Sequence, residues 1–425
     1  MTFYIYNLGC KVNAYESSVM HDLMVNASFI KTSMMADIYI INTCSVTNTA
    51  DNKSLKLIRQ AYRKNNKAII AVTGCLAQTQ VDRVKAIPGV SIIIGNKNKS
   101  KIVDYIYEYK KHGKQIIDIY DLSNVAFENM QLNNFCQARA FVKIEDGCEN
   151  FCSYCIIPYT RGCVRSKAKD VVLKEVCSLI KSGHQEIVLT GIHTGNYGVD
   201  LHYDLASLLA LLIKIAGLKR LRISSIEITE LNERILDLFK ISTVLVDHLH
   251  IPLQSGSDYI LTLMQRKYDS KYFMAKLSAI RTIRPNIAIT TDVIVGFPGE
   301  SEEIFNDTLA TIRKCKFAKI HVFPYSKRNG TPASLMDNQI DEGVKKARVT
   351  KLLELSRQLE IDYMKQFIGT QLDVIIEYRK DGFLFGHTGN YLFVKLLDNN
   401  EQLNCCIKGV VIDICYPYCI VKVDV

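Results

Sequence analysis

The 425-residue chain has no tryptophan, only 8 prolines, and neither an internal repeat nor a low-complexity tract. Without a repeat, a solenoid or stacked array is excluded. Long apolar runs are also missing: the most hydrophobic stretch, LASLLALLIKIAGL, is broken by Lys214. No uncharged run reaches the roughly 18 residues that a bilayer span needs, so no membrane association is expected. The opening residues, MTFYIYNLGC, lack the basic and apolar regions of an export signal. The expectation is a cytoplasmic protein in a reducing compartment, where clustered cysteines bind metal or catalyse rather than pair as disulfides.

What is present is a soluble composition, with 48% hydrophobic and 23% charged residues, and a net charge of +10 that suits an anionic partner, nucleic acid foremost. The length calls for two or three domains. In the first 120 residues, TFYIYNL, ADIYIIN, KAIIAVT and VSIIIGN alternate with helical spacings, which predicts a doubly wound parallel sheet. Residues 97–136 are charged and Tyr-rich, and read as a helix followed by a solvated linker. From 137 to 365 six further strand candidates, AFVKIED, EIVLTG, RLRISS, DHLHIPL, IAITTDVIVG and KIHVFPY, alternate with helices. That order predicts a partial (β/α) barrel of TIM type with its chemistry on the loops after the strands. A basic helix, EGVKKARVTKLLELSRQLEIDYMKQF, is expected to lead away from it, and residues 366–425 read as a small antiparallel β-barrel with turns at KDG, HTGN and DNN.

Six of the 14 cysteines stand out. Cys10, Cys44 and Cys75 each follow one of the first three strands, in NLGC, INTC and VTGC. Ligands of such sheets gather beyond the carboxyl ends of the strands, so these three thiols should converge on a shared metal centre. Cys148, Cys152 and Cys155 form C-x3-C-x2-C within EDGCENFCSYCIIP. Zinc would need a fourth ligand, for which Cys163 is near enough. A ferredoxin-type cluster uses different spacing and a fourth cysteine. The spacing, with Tyr154 before the last thiol, favours a 4Fe-4S cluster that keeps one iron open for a small molecule. Cys136, Cys163, Cys177, Cys315, Cys405, Cys406, Cys415 and Cys419 read as structural.

GCENFCSYC after a first barrel strand resembles the radical S-adenosylmethionine signature. LGCKVNAYES, NTCSVTNTADNKS, VTGCLAQ, RISSIE, IPLQSGSD, DVIVGFPGE and FPYSKRNGTPA extend that resemblance to the methylthiotransferase family along nearly the whole chain. FGHTGNYLFVKL resembles the RNA-binding TRAM barrel that closes those enzymes. The resemblance implies a second 4Fe-4S cluster on Cys10, Cys44 and Cys75, a radical-generating cluster on Cys148, Cys152 and Cys155, and S-adenosylmethionine as cofactor. It implies methylthiolation at C2 of a modified adenosine beside the anticodon, with the tRNA anticodon stem-loop as partner and a flavodoxin-type reductant as electron donor. LGCKVNAYES and VTNTADNKS are most similar to the threonylcarbamoyladenosine branch, since the isopentenyl branch has Gln-Met rather than Lys-Val after its first cysteine. Alternatives are an isopentenyladenosine tRNA or a ribosomal-protein aspartate as substrate, and a non-catalytic zinc-bearing RNA-binding protein.

Tyr154, Thr190, Gly191, Ser224, Gln254 and Asp292 are the expected contacts of S-adenosylmethionine, although LTG stands where the superfamily often has Gly-Gly-Glu. Arg161 and Arg165 are candidates for a substrate phosphate or the cofactor carboxylate. His248 and His250 read as packing or hydrogen-bonding residues rather than metal ligands, and Tyr391 or Phe393 as a platform for an RNA base.

Overall fold

Strands buried on both faces need continuous apolar runs, and the first domain has them. The computed structural model describes residues 1–133, 135, 137–397 and 401–423; Cys136 and the expected turn at 398–400 lie outside the described residues. Strands β1 (Thr2–Asn7), β2 (Ile30–Lys31), β3 (Ile38–Thr43), β4 (Ile69–Gly74), β5 (Val90–Ile94) and β6 (Ile116–Asp118) form one parallel sheet in the order β2-β1-β3-β4-β5-β6. Ile38 and Ile40 pack on one face with Met20 and Ile102, while Tyr39 and Ile41 pack on the other with Leu55 and Ile58. This period of two sandwiches the sheet between helices, including α1 (Lys11–Asn26), α2 (Asn48–Lys64) and α3 (Cys75–Thr79).

The segment read as a helix and a solvated linker is largely exposed, as expected, but it is not only a linker. The helix is there, at Ile102–His112, but β6 adds a sixth strand to the sheet and Lys99 is fully buried. Met130, Leu132 and Phe135 sit in the core of the following domain. Charge near these residues concealed an edge strand of three residues, too short to carry a periodic signal.

All six expected barrel strands form: β7 (Arg139–Lys143), then, after a short ribbon of β8 (Glu145–Asp146) and β9 (Arg165–Ser166), β10 (Glu186–Thr190), β11 (Arg220–Ile223), β12 (His248–His250), β13 (Ala288–Val295) and β14 (Lys319–Pro324). They run parallel in two sheets, β7-β10-β11 and β12-β13-β14, joined at a bridge between Leu221 and Leu245. Leu221, Ile223, Leu249, Ile289, Val293 and Ile320 face the surrounding helices in one core. The alternate positions, among them Arg222, His248, His250, Thr290, Asp292 and His321, therefore turn to the lumen, an interior that is polar where such barrels are usually packed with branched apolar side chains.

The basic helix, Glu342–Lys365, does not lead away. Leu352 is fully buried in the barrel core, Ser356 Oγ accepts from the Ile320 amide at 3.2 Å, and Arg348 pairs with Glu300 at 2.8 Å, so the helix seals the free edge of β14. The helix was legible in the sequence, but its partner was not. The C-terminal strands β15 (Gln371–Lys380), β16 (Phe383–Thr388), β17 (Phe393–Leu396), β18 (Cys406–Cys415) and β19 (Tyr418–Val423) close a barrel in the order β15-β16-β17-β19-β18 around Val374, Leu384, Val411 and Val421. Among the described residues no helix is long and apolar enough to cross a membrane.

Candidate active site

β1, β3 and β4 are neighbours in register, Asn7 beside Asn42 and Thr43 beside Gly74, so the residues that follow them emerge together. Cys10 caps α1, Cys44 follows β3 and Cys75 opens α3. Gly9, at φ +94°, lets the first loop press on the second: a Cβ there would lie 2.8 Å from Cys44 Cβ and 2.9 Å from Cys44 Sγ. The three thiols lie within each other's electrostatic reach; burial pushes Cys44 up to about 11, and the neighbouring Cys75 and Cys10 add to it. Asn96 Nδ2 donates to Cys75 Sγ at 3.6 Å. Metal binding reverses such a shift, because a coordinating thiol is deprotonated outright.

The second trio lies on the loop after β7 and β8, ahead of the short helix Ile157–Arg161. The Cys155 amide donates to the Cys152 carbonyl at 2.9 Å, and the Cys148 amide to the Gly162 carbonyl at 3.0 Å, which folds the loop back on itself. Arg266, paired with Glu227, donates to Cys152 Sγ at 3.3 Å. Cys148 Sγ lies 3.6 Å from His193 Nδ1, and His193 in turn pairs with Glu230. Burial opposes charge on His193, but hydrogen bonds to Cys148 and Glu230 outweigh it and raise the imidazole to about 10. Cys163, the expected fourth ligand of a zinc site, instead engages Glu149 in a half-buried position. Three thiols in each set suit a 4Fe-4S cluster with one iron left to a small molecule better than they suit tetrahedral zinc.

A cavity of about 180 Å³ lies beside Cys155, lined by Tyr154, Cys155, Gln254, Asp292 and Tyr325 from the barrel and by Val46 and Thr47 from the loop after Cys44. Of the expected cofactor contacts, Tyr154, Gln254 and Asp292 thus come together. Gln254 does so at φ +65°, a left-handed conformation fixed by its backbone bridge to Val293. Thr190, Gly191 and Ser224 do not line this cavity. The Thr190 carbonyl accepts from the Ile144 amide, the Ser224 amide donates to the Leu189 carbonyl, and Gly191 is pressed on Glu145, where a Cβ would meet Oε2 at 2.6 Å. Glu145 Oε2 accepts from the His193 amide at 2.7 Å, and burial raises that carboxyl to about 8. Gly191 therefore serves the His193 and Cys148 side of the site.

Between the trios runs a buried ionic network that the sequence concealed. Glu16 of α1 accepts from Lys143 at 2.7 Å and Arg161 at 2.8 Å, and pairs with Lys99; Asp146 accepts from Lys143 at 2.7 Å and Arg161 at 3.2 Å. Arg161 Nη2 also donates to Asn13 at 2.8 Å. Arg161 is wholly buried, committed to these carboxylates and Asn13, and lies in the electrostatic field of Cys10 and Cys75. Arg165 is likewise turned inward, to Asp146 and to the Leu122 and Cys163 carbonyls. Asn13 and Glu16, one helical turn apart on α1 and both polar in a buried stripe, were the available signal. His248 and His250 bond Thr290 Oγ1 at 3.1 and 2.9 Å, as expected of hydrogen-bonding residues. Tyr391 does not offer a face to RNA: it stacks on His248 with ring centres 4.6 Å apart, between the guanidiniums of Arg139 and Arg222, and closes the barrel floor.

A cysteine loop at the head of a partial (β/α) barrel defines a radical S-adenosylmethionine enzyme, and residues 142–312 match the model of the Radical SAM superfamily. Residues 2–95 match the Uncharacterized protein family UPF0004. The chain is 41% identical to the Threonylcarbamoyladenosine tRNA methylthiotransferase MtaB of Bacillus subtilis (strain 168), over 98% of this chain and 95% of that one. It is 38% identical to the protein of that name from Thermotoga maritima, over 94% and 92%. It is 35% identical to the tRNA-2-methylthio-N(6)-dimethylallyladenosine synthase of Clostridium tetani, over 95% and 92%. Among solved structures, the radical S-adenosylmethionine methyltransferase TsrM from Kitasatospora setae shares the fold, with a TM-score of 0.58 at 12% identity over 79% of this chain and 74% of that one. The chain belongs to the methylthiotransferase family of radical S-adenosylmethionine enzymes.

Proposed function

We propose that the chain is a tRNA methylthiotransferase that replaces the C2 hydrogen of N6-threonylcarbamoyladenosine, beside the anticodon, with a methylthio group. The observation that carries this reading is the shared cavity: Cys155 of one trio and Val46–Thr47, two and three residues beyond Cys44 of the other, line the same 180 Å³. Radical formation and sulfur delivery then happen in one chamber. Cys148, Cys152 and Cys155 would hold a 4Fe-4S cluster that, with S-adenosylmethionine, would supply the radical chemistry, and Cys10, Cys44 and Cys75 would hold a second cluster that would supply the sulfur. The chain's own part is placement. Tyr154, Gln254 and Asp292 orient the cofactor, Arg266 and His193 fix Cys152 and Cys148, and Ile156, Ile157, Ile294 and Phe323 keep water from the radical.

The working units are residues 1–120, 137–365 and 366–425. In the last, Tyr378, Phe393 and Tyr418 pack around the buried Phe385 with ring centres 4.7–6.1 Å apart, and Lys395 pairs across from Phe385; this cluster is the RNA-facing surface. The enzyme works in the cytoplasm with a flavodoxin-type reductant. Nucleoside mass spectrometry of tRNA from a deletion strain complemented with this chain tests the reading. The 2-methylthio-threonylcarbamoyladenosine peak should be lost on deletion and restored on complementation; an unchanged profile overturns it. Reconstituted protein should hold about eight irons, and about four would remove the second cluster.

A further inference from the structure

The barrel lumen carries a cationic wall that neither trio uses. Arg222 reaches into it from β11: its Nε donates to Glu186 at 2.7 Å and its Nη2 to the Gly389 carbonyl at 3.2 Å, but its Nη1 is buried without a hydrogen-bond partner. Lys11, the residue after Cys10, enters the same space from α1. Arg222, Arg139, Asp292 and Tyr391 lie within electrostatic reach of its ammonium. Lys11 is half-buried, and among the described residues no hydrogen bond or ion pair is formed by its Nζ.

The nearby carboxylates are already committed. Glu186 is paired with Arg220 and Arg222, Glu377 with Arg139 and His387, and Asp292 with His250 at 3.3 Å. His250, Asp292 and His321 offer ligand atoms within 4.8 Å of one another and could be read as a cation site. Lys11 and Lys319 place positive charge on the same space and oppose that reading. A buried guanidinium donor and a half-buried ammonium without acceptors are costly and call for an anion.

Resting on the function proposed above, we propose that Lys11 and Arg222 receive the carboxylate of the threonyl group on the modified adenosine. Of the two substituents named for the relatives, threonylcarbamoyl carries a carboxylate and dimethylallyl carries no charge. Because Lys11 follows Cys10 directly, an anchor at its ammonium brings the base to the trio that holds the sulfur. Lys11 thus acts as a specificity residue.

The test uses the full-length reconstituted enzyme, its Lys11→Met and Arg222→Lys variants, and three tRNAs: threonylcarbamoyl, the same with its carboxylate as methyl ester, and dimethylallyl. Wild-type enzyme should favour acid over ester in kcat/KM by about tenfold or more, the lower end for a charge-assisted contact. Lys11→Met should raise KM for the acid by a similar factor and erase the acid–ester distinction, with iron content unchanged. Arg222→Lys, which keeps charge but loses the fork, should weaken the distinction partially. If Lys11→Met keeps the wild-type preference, or lowers iron and activity on acid and ester alike, the carboxylate role is overturned and the substrate reading stands. If wild-type enzyme modifies only the dimethylallyl tRNA, the substrate reading itself falls, and this inference with it.

Discussion

A single guanidinium ties the two cysteine sets together. Arg161 is wholly buried with Glu16 and Asp146, and those carboxylates keep their charge because Arg161 and two lysines surround them. Removing one partner of a buried pair leaves charge uncompensated. Arg161→Met should therefore lose about 3–5 kcal/mol of unfolding free energy, read by urea denaturation. Burial pushes the Asp146 carboxyl up, but Arg161 and Lys143 outweigh it and hold the group at about 2. A depressed acid stabilises the fold above its unfolded value and loses that contribution as pH falls through the folded one. Stability should drop on acidification from about pH 4 to about pH 2, and Asp146→Asn should flatten that slope in acid titrations followed by circular dichroism.

Among the elements, the glycine before the first cysteine sets how closely two loops approach. Gly9→Ala would force a methyl group to 2.8 Å from Cys44 Cβ in a backbone conformation that disfavours alanine. Iron in the reconstituted protein should fall by about half, with the barrel trio still able to cleave S-adenosylmethionine. The helix Glu342–Lys365 offers a matched pair: Leu352 is fully buried and its neighbour Leu353 is 49% exposed. Leu352→Ala should cost about 2–5 kcal/mol and Leu353→Ala about 0.5 kcal/mol or less, compared by thermal melts. The placement of Cys10, Cys44 and Cys75 after their strands and all six barrel strands were legible in sequence, because spacing and period are local properties. The seat of this helix on β14, the burial of Lys99, and the pairing of Arg161 with Glu16 across 145 residues were not. Each depends on which distant segment supplies the partner, and no periodicity encodes that.

For the whole molecule, the function proposed above, the net charge of +10 and the aromatic cluster of the C-terminal barrel together predict that tRNA binding is salt-dependent and stacking-assisted. Phe393→Ala should weaken tRNA binding by about 1–3 kcal/mol in filter-binding assays while leaving iron content unchanged. Asn48 donates from its amide to Ser326 Oγ at 3.1 Å across 278 residues, and Arg328 pairs with Asp51 nearby. The wall that completes the chamber is therefore delivered late in synthesis. A nascent chain emerging from the ribosome has all the thiols of its first trio once Cys75 is out, well before the segment 323–326 that lines the chamber is made. Any filling of that first set on the ribosome would precede completion of the chamber beside it.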